Sequence, residues 1–422
     1  MDVPSSTINS GDTAWVLIST ALVLFMTIPG LSLLYAGLVR AKNALTVFMQ
    51  CFAITAVVSV LWILVGYSLA FDRTGMVEGQ TGLLSFIGGL GRICLSGLTP
   101  ESVHANAPTI PETVYCCFQM TFAIITPALI ISAFVERVKF ATVLIFTVLW
   151  SLVVYVPIVH MVWSGPGGFL WGTLDYAGGC AVEINSGVSG LVAALFVGRR
   201  HGYPHQPILP HSIALAVVGG GMLWVGWFGF NAGSAVAANA AAGLAMLNTH
   251  LAAAVATCAW MAIEWFRFGK ASALGAVTGS LAGLVVITPA AGFVSPLGAT
   301  VLALTATGCC YIGCTWLKKK GGYDDALDVF GVHGIAGLVG TLLLGIFGVK
   351  SFGGTVDATA GAQFAQQAKA VLVTVLWAGG GTALCCLVAK ALTGMRVEER
   401  AELAGLDLHQ HGEVAYSIEE RV

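Results

Sequence analysis

The sequence predicts an all-α integral membrane protein of eleven transmembrane helices, a five-plus-five inverted repeat with one helix added, N-terminus out and C-terminus in. Three observations predict it. The first is composition: of 422 residues, 57% are apolar, 9% are charged and 53 are glycine, and the mean hydropathy is +0.86, which no soluble core of this length would show. The second is where the nineteen Lys and Arg residues fall between the apolar runs. The third is an internal echo. Asp175 to Gly198, DYAGGCAVEINSGVSGLVAALFVG, aligns without a gap on Asp325 to Gly348, DALDVFGVHGIAGLVGTLLLGIFG.

Runs able to cross about 30 Å of hydrocarbon fall at about 13–38, 44–71, 112–135, 140–163, 178–198, 211–231, 240–266, 271–288, 294–317, 327–348 and 368–394. The opening MDVPSSTINSGDTAW has no basic stretch before its apolar run. Either a signal peptide has been removed or the first helix directs its own insertion. With the N-terminus outside, the inner connections and tail hold Arg40, Lys42, Arg137, Lys139, Arg199, Arg200, Arg267, Lys270, Lys318, Lys319, Lys320, Lys390, Arg396, Arg400 and Arg421. The outer side keeps only Arg73, Arg92, Lys350 and Lys369, and that imbalance sets the orientation. Residues 1–394 then form the transmembrane domain, with repeat halves at about 12–198 and 211–348 and the eleventh helix at about 368–394. Residues 395–422 form a cytoplasmic tail.

In this arrangement the fifth helix runs inward and the tenth outward although they share one pattern, which is the mark of an inverted repeat. Gly187 matches Gly337, Gly190 matches Gly340, and Glu183 stands where His333 stands in the second half. Each ionisable residue lies eight positions past an aspartate, about 12 Å at 1.5 Å per residue, so Glu183 and His333 are expected near the midplane. The glycines let the two helices approach closely. Ionisable groups at such depth mark a functional site; a buried pair that only fixes helix packing would use the same residues.

Other features gather around this axis. CCFQMTF puts Phe118 and Phe122 on one face of the third helix. The fourth helix ends in VHMVWSGPGG with Trp163, and the sixth in GWFGFNAGSA with Phe230 and Ser234. Rings and a hydroxyl at an outer mouth suit a small cation: each ring face attracts it by roughly 0.5–2 kcal/mol, and the hydroxyl can accept an N–H bond. An interfacial aromatic belt would use the same side chains.

The remaining candidates read as structure. His160 and His250, near helix ends, are expected to be satisfied structural histidines, and His201, His205 and His211 to share a solvated loop whose spacing fits no zinc site. Glu264 is expected to pair with Arg267 at the membrane interface. The Gly-rich connection 72–111 carries no assignable chemistry. The eleven cysteines suggest small buried hydrophobes rather than a disulfide framework or metal site. No cofactor is expected. A net charge of −2 implies no nucleic-acid partner, and no nucleophile–base set or phosphate loop marks an enzyme.

FMTIPGLSLLYAGLVRAKN, the Phe118 and Phe122 helix, HMVW, LDYAGG, GWFGFNAGS, DVFGVHG and GLDLHQHGEVAYS together resemble the ammonium transporter family, the Amt/Mep/Rh group. They stand in family order over nearly the whole chain, and the Trp163 and Ser234 motifs with the tail resemble the bacterial Amt branch. The resemblance implies a homotrimer in the inner (cytoplasmic) membrane, one pore per subunit, moving ammonium or ammonia across the lipid bilayer. It implies a recruitment site of Phe122, Trp163 and Ser234, a gate of Phe122 over Phe230, and a pore at Glu183 and His333. Asp175 corresponds to a structural support of that site. The tail is charged and low in apolar content, which alone reads as disordered; the resemblance implies a folded strap where a PII-type signalling protein binds.

One departure stands out: the family's usual pore carries two histidines, and the first position here is Glu183, an acid that some fungal members also carry. Ammonium and potassium are of similar size, but only ammonium has a proton to give up. The expected route is capture outside, deprotonation near the vestibule, and passage as ammonia past Glu183 and His333, a pair expected to titrate as a unit and able to relay the proton. An anionic Glu183 is expected to weaken selectivity against potassium. An electroneutral ammonia channel and an ammonium sensor that signals through a partner are the alternatives.

Overall fold

The computed structural model describes residues 8–416. Residues 1–7, the start of the MDVPSSTINSGDTAW opening, and 417–422, with Arg421, lie outside the described residues. Among the described residues the chain forms helices and three isolated bridges, with no strand. Ten helices are long and apolar enough to cross a membrane: α1 (Ser10–Leu38), α2 (Ala41–Phe71), α3 (Glu112–Ala133), α4 (Phe140–Trp163), α5 (Gly179–Val197), α6 (Ile213–Gly233), α7 (Ala240–Phe268), α9 (Pro296–Gly321), α10 (Phe330–Phe347) and α11 (Ala360–Thr393). Between α7 and α9 lies α8 (Ala273–Ile287), apolar but only fifteen residues long.

The boundaries follow the sequence reading except in α11. Expected from about 368, it begins at Ala360, where the Thr359 hydroxyl accepts from the Ala362 N–H. The added turns read AGAQFAQQ, too polar to count as membrane span. Their amide side chains bond a neighbouring loop instead.

The packing repeats every five helices. α2 packs on α3 and α4 as α7 packs on α8 and α9; α1 packs on α3 as α6 on α8; and α3 packs on α5 as α8 on α10. The two matched pairs, α1 with α6 and α5 with α10, meet at the centre. α11 lies outside them against α4, α5 and α10.

α5 and α10 open alike. The Asp175 carboxylate accepts the N–H groups of Gly178, Gly179, Cys180 and Ala181 at 2.5–3.2 Å. The Asp325 carboxylate accepts those of Val329 and Phe330 at 3.2 and 2.8 Å. Each aspartate thus satisfies donors that a helix start leaves without partners. Both helices begin with a π turn, Gly179–Ile184 and Phe330–Gly334, and these turns carry Glu183 and His333. The crossing is antiparallel: a Cβ on Gly187 would fall 2.3 Å from Gly334 Cα, and one on Gly337 would fall 2.8 Å from Glu183 Cβ. Gly187→Ala is therefore expected to destabilise the bundle by about 1–3 kcal/mol through overpacking. Gly221→Ala, whose Cβ would meet nothing within 4 Å, should be neutral or stabilising by up to about 1 kcal/mol. Melting midpoints of the purified variants in one detergent check both.

At the end of the bundle opposite Trp163, here the basic face, buried charges tie four connections together. Glu136 accepts from Arg40 at 2.8 Å and from Arg200 at 3.0 Å, and Arg200 also holds Asp324 at 2.7 Å. Burial alone would raise the Glu136 and Asp324 pKa values, but the neighbouring guanidiniums outweigh it and hold both below their ordinary values. Arg137, fully buried, donates to four carbonyls, of Ala133, Val135, Gly198 and Asp324.

The tail folds onto this face. It has a short helix, α12 (Glu399–Ala404), then a single π turn, Asp407–His411. Asp407 accepts the N–H groups of Leu45 and Thr46 at the start of α2 at 3.0 and 2.7 Å. Glu402, also buried, accepts from Arg396 and from the His201 N–H, each at 2.6 Å.

Some side chains differ from the sequence reading. His201 pairs with Glu399 at 2.8 Å yet stays exposed in its loop, as expected, whereas His211 sits between the Val39 carbonyl and the Tyr416 hydroxyl, both at 2.9 Å, so the tail takes up one histidine expected in a solvated loop. Glu264 accepts from Ser272 at the start of α8, while Arg267 turns to Tyr311; the unsatisfied helix start outcompetes the ion pair. His160 bonds two carbonyls, of Ala70 and Leu84, whereas His250 is exposed beside Trp224. Six cysteines are buried, but Cys94, Cys117 and Cys258 are exposed. Cys94 lies in the 72–111 connection, while Cys117 and Cys258 lie on α3 and α7, where an outer helix surface is as apolar as the core and apolar context alone could not separate the two.

Candidate functional site

Two cavities lie end to end along the axis where α5 and α10 cross. The one at the Trp163 end has a volume of about 470 Å³, and its wall includes Phe122, Trp163, Asp175 and Ser234. Trp163 closes α4 and is fixed from both sides: its indole N–H donates to the Asp175 carbonyl at 2.8 Å, and its own carbonyl accepts from Asn106 at 2.9 Å. The Trp163 and Phe122 rings meet edge to face, 5.8 Å between centroids and 88° between planes. Ser234, just past α6, donates its hydroxyl to the Phe230 carbonyl at 2.8 Å, which leaves the oxygen's lone pairs as acceptors.

The floor of this cavity is aromatic. Phe122 of α3 and Phe230 of α6 lie 4.4 Å apart with planes tilted by 36°, and each is only 1% exposed. Phe122 belongs to the wall of the first cavity and Phe230 to the wall of the second, so this ring pair separates them.

The second cavity, about 380 Å³, runs from Phe230 and Trp227 past Glu183 and His333 to Arg200, Lys318 and Asp328 at the basic face. Within it His333 Nδ1 and Glu183 Oε2 are 2.7 Å apart, the length of a charge-assisted hydrogen bond. With Nδ1–H donated to the carboxylate, the neutral ring keeps Nε2 as a proton acceptor. The second carboxylate oxygen, Glu183 Oε1, is buried without a hydrogen-bond partner among the described residues. An acid, a base and an orphaned acceptor thus line one narrow apolar cavity, a set able to pass protons and to favour a hydrogen-bond donor.

The structure therefore brings Phe122, Trp163, Asp175 and Ser234 around one cavity, and Phe230, Glu183 and His333 around the other. Asp175 turns its carboxylate to the α5 start and only its carbonyl to Trp163, the geometry of a support. Gln119, one turn before Phe122, also lines the first cavity and leaves Oε1 buried without a partner. The sequence reading quoted it within CCFQMTF and passed over it, because a lone amide in an apolar helix gives no signal of which face it shares. Lys318 and Asp328, 2.8 Å apart at the far end of the second cavity, read in sequence only as inner charge.

A sequence profile described as Ammonium Transporter Family matches residues 14–416. The chain is 44% identical over 417 residues to an ammonium transporter of Aquifex aeolicus, covering 97% of this chain and 94% of that one. Among solved structures, Saccharomyces cerevisiae Mep2 superposes with a TM-score of 0.83 at 32% identity, covering 93% of this chain and 89% of that one. A protein described as a sensor Amt protein superposes with a TM-score of 0.86 at 27% identity, covering 95% and 98%.

Proposed function

The chain belongs to the ammonium transporter family, and from that premise we propose that it moves ammonium across the cytoplasmic membrane by capturing the cation, deprotonating it and passing ammonia through the Glu183 and His333 cavity. The observation that carries this reading is the division of one axis into two cavities by the buried Phe122 and Phe230 rings. The Trp163 end faces outward, as the bias of Lys and Arg toward the other end supports, and the twofold repeat of five-helix packing supports eleven crossings in an inverted repeat.

Ammonium settles in the first cavity against the faces of Phe122 and Trp163 and donates to the Ser234 oxygen. The ring pair bars a hydrated or bare ion, because a charge in a narrow apolar passage is costly while neutral ammonia loses far less on desolvation. Potassium cannot shed its charge and stays out. The proton that ammonium gives up passes to water in the first cavity and travels separately from the ammonia to the Glu183 and His333 pair, 2.7 Å apart, which hands it on toward Lys318 and Asp328. Three copies assembled in the bilayer, each with its own pore, and a PII-type protein seated over the folded tail complete the reading.

A second reading, an ammonium sensor that signals through a partner, draws on the likeness to a sensor Amt protein. Proteoliposomes with a lumenal pH dye decide between them. A transporter changes lumenal pH after an external ammonium pulse faster than protein-free vesicles, and Trp163→Ala raises the half-saturating concentration about tenfold, the loss of roughly 1.4 kcal/mol of cation binding. A rate equal to that of protein-free vesicles would contradict transport and favour the sensor.

A further inference from the structure

The loop from Trp163 to Asp175 reads WSGPGGFLWGTLD, with four glycines, a composition that gains nothing from local propensity and loses much entropy on ordering. It is nonetheless fixed, and three glutamines on the polar start of α11 fix it. Gln366 donates to the Trp171 carbonyl and to the Thr173 hydroxyl, both at 3.1 Å. Gln363 donates to the Gly172 carbonyl at 3.2 Å and to Gln367 Oε1 at 3.1 Å. Gln367, fully buried, brackets Leu174: its Oε1 accepts the Leu174 N–H at 2.8 Å, and its Nε2 donates to the Leu174 carbonyl at 2.8 Å and to the Thr341 carbonyl of α10 at 3.2 Å.

Leu174 precedes Asp175, and Asp175 faces two ways. Its carbonyl holds the Trp163 indole, and its carboxylate holds the opening turn of α5, which carries Glu183. One buried amide therefore ties α10 and α11 to the residue that orients the first cavity. We propose that Gln367 is a positioning residue for cation capture, setting Trp163 through Leu174 and Asp175. The proposal rests on the reading of the Trp163 cavity as the capture site.

The test is the ammonium-evoked current of full-length protein in proteoliposomes on a supported membrane, titrated with ammonium, for four proteins. Gln367→Leu removes both bonds to Leu174 and is expected to raise the half-saturating concentration about fivefold or more, with the maximal current held within about twofold, the signature of lost binding rather than lost turnover. Gln366→Leu, half-buried and one step further from Asp175, is expected to shift it in the same direction by less, and it decides the matter if Gln367→Leu does not fold. Thr382→Val serves as the structural control. Thr382 is buried on the same helix and bonds Ser189 at 2.8 Å and Trp150 at 3.0 Å, away from the loop; its loss should lower the melting midpoint and leave half-saturation unchanged.

A saturable wild-type current with unshifted half-saturation in both glutamine variants would overturn the positioning role. So would an equal shift in Thr382→Val, which would make the effect one of general loosening. A wild type with neither a saturable current nor an ammonium-driven change in lumenal pH above that of protein-free vesicles would instead remove the transport reading, and the positioning role with it.

Discussion

Glu183→Gln is expected to cut the ammonium-evoked current about a hundredfold, the low end of what a positioned proton-transfer group contributes. The amide is nearly isosteric with the carboxylate, and its oxygen can still accept from His333 Nδ1, the bond now 2.7 Å long. What the variant loses is the negative charge that supports the imidazole and the ability to exchange a proton. The protein should fold and assemble as before, and neutral ammonia should still pass, so lumenal alkalinisation after an ammonium pulse persists while charge movement falls. Solid-supported membrane recordings beside the lumenal pH assay separate the two quantities. An unchanged current would mean that Glu183 serves packing alone. Glu183→His is the companion variant for selectivity: because the ring pair, not residue 183, keeps potassium out, its potassium current should stay at the level of protein-free vesicles, as in the wild type.

Arg200→Leu is expected to destabilise the protein by about 3–5 kcal/mol, the cost of leaving a buried charge without its partner. Arg200 serves two carboxylates at once, Glu136 at 3.0 Å and Asp324 at 2.7 Å, and the side chains of both acids are fully buried. Glu136 would keep Arg40 and Asn43; the Asp324 carboxylate would keep no guanidinium. The pH dependence follows from the direction of the shifts. Both acids are held below their ordinary pKa values, so the stability they add is fully present above the unfolded values, about 3.9 for Asp and 4.3 for Glu, and is lost as pH falls through the folded values. The gap between wild type and variant should therefore be widest near neutral pH and narrow below about pH 4. Melting midpoints measured from pH 7 to pH 3 in one detergent check it, and a gap that widens on acidification would contradict the assignment.

Much of this was legible in the chain because a bilayer constrains sequence strongly. Helix positions followed from apolar length, although ten rather than eleven among the described residues are long enough to cross a membrane, and the α5 and α10 crossing followed from an ungapped echo whose glycines turn out to be the close contacts. Glu183 and His333 were visible because an ionisable group is conspicuous in an apolar run. What stayed hidden were contacts whose partners lie far apart in sequence. Gln367 binds Leu174 across 193 positions and Asp407 binds Thr46 across 361, and no local periodicity encodes either. The early start of α11 was missed for the same reason: its glutamines are satisfied by a loop, so they need no water, and a count of apolar residues penalises them regardless. Lys318, Asp328 and Arg200 read as loop charge, yet they line the cavity's far end, because a basic residue after a span looks the same whether it meets solvent or a pore.

The most direct measurement of the central claim is the transient current from wild-type proteoliposomes on a supported membrane after equal pulses of ammonium and of potassium. Selection by deprotonation above the Phe122 and Phe230 pair predicts a saturable current with ammonium and, with potassium, a current no larger than that of protein-free vesicles. Comparable currents with both ions would show that the cavity admits the cation itself, and would contradict passage as ammonia.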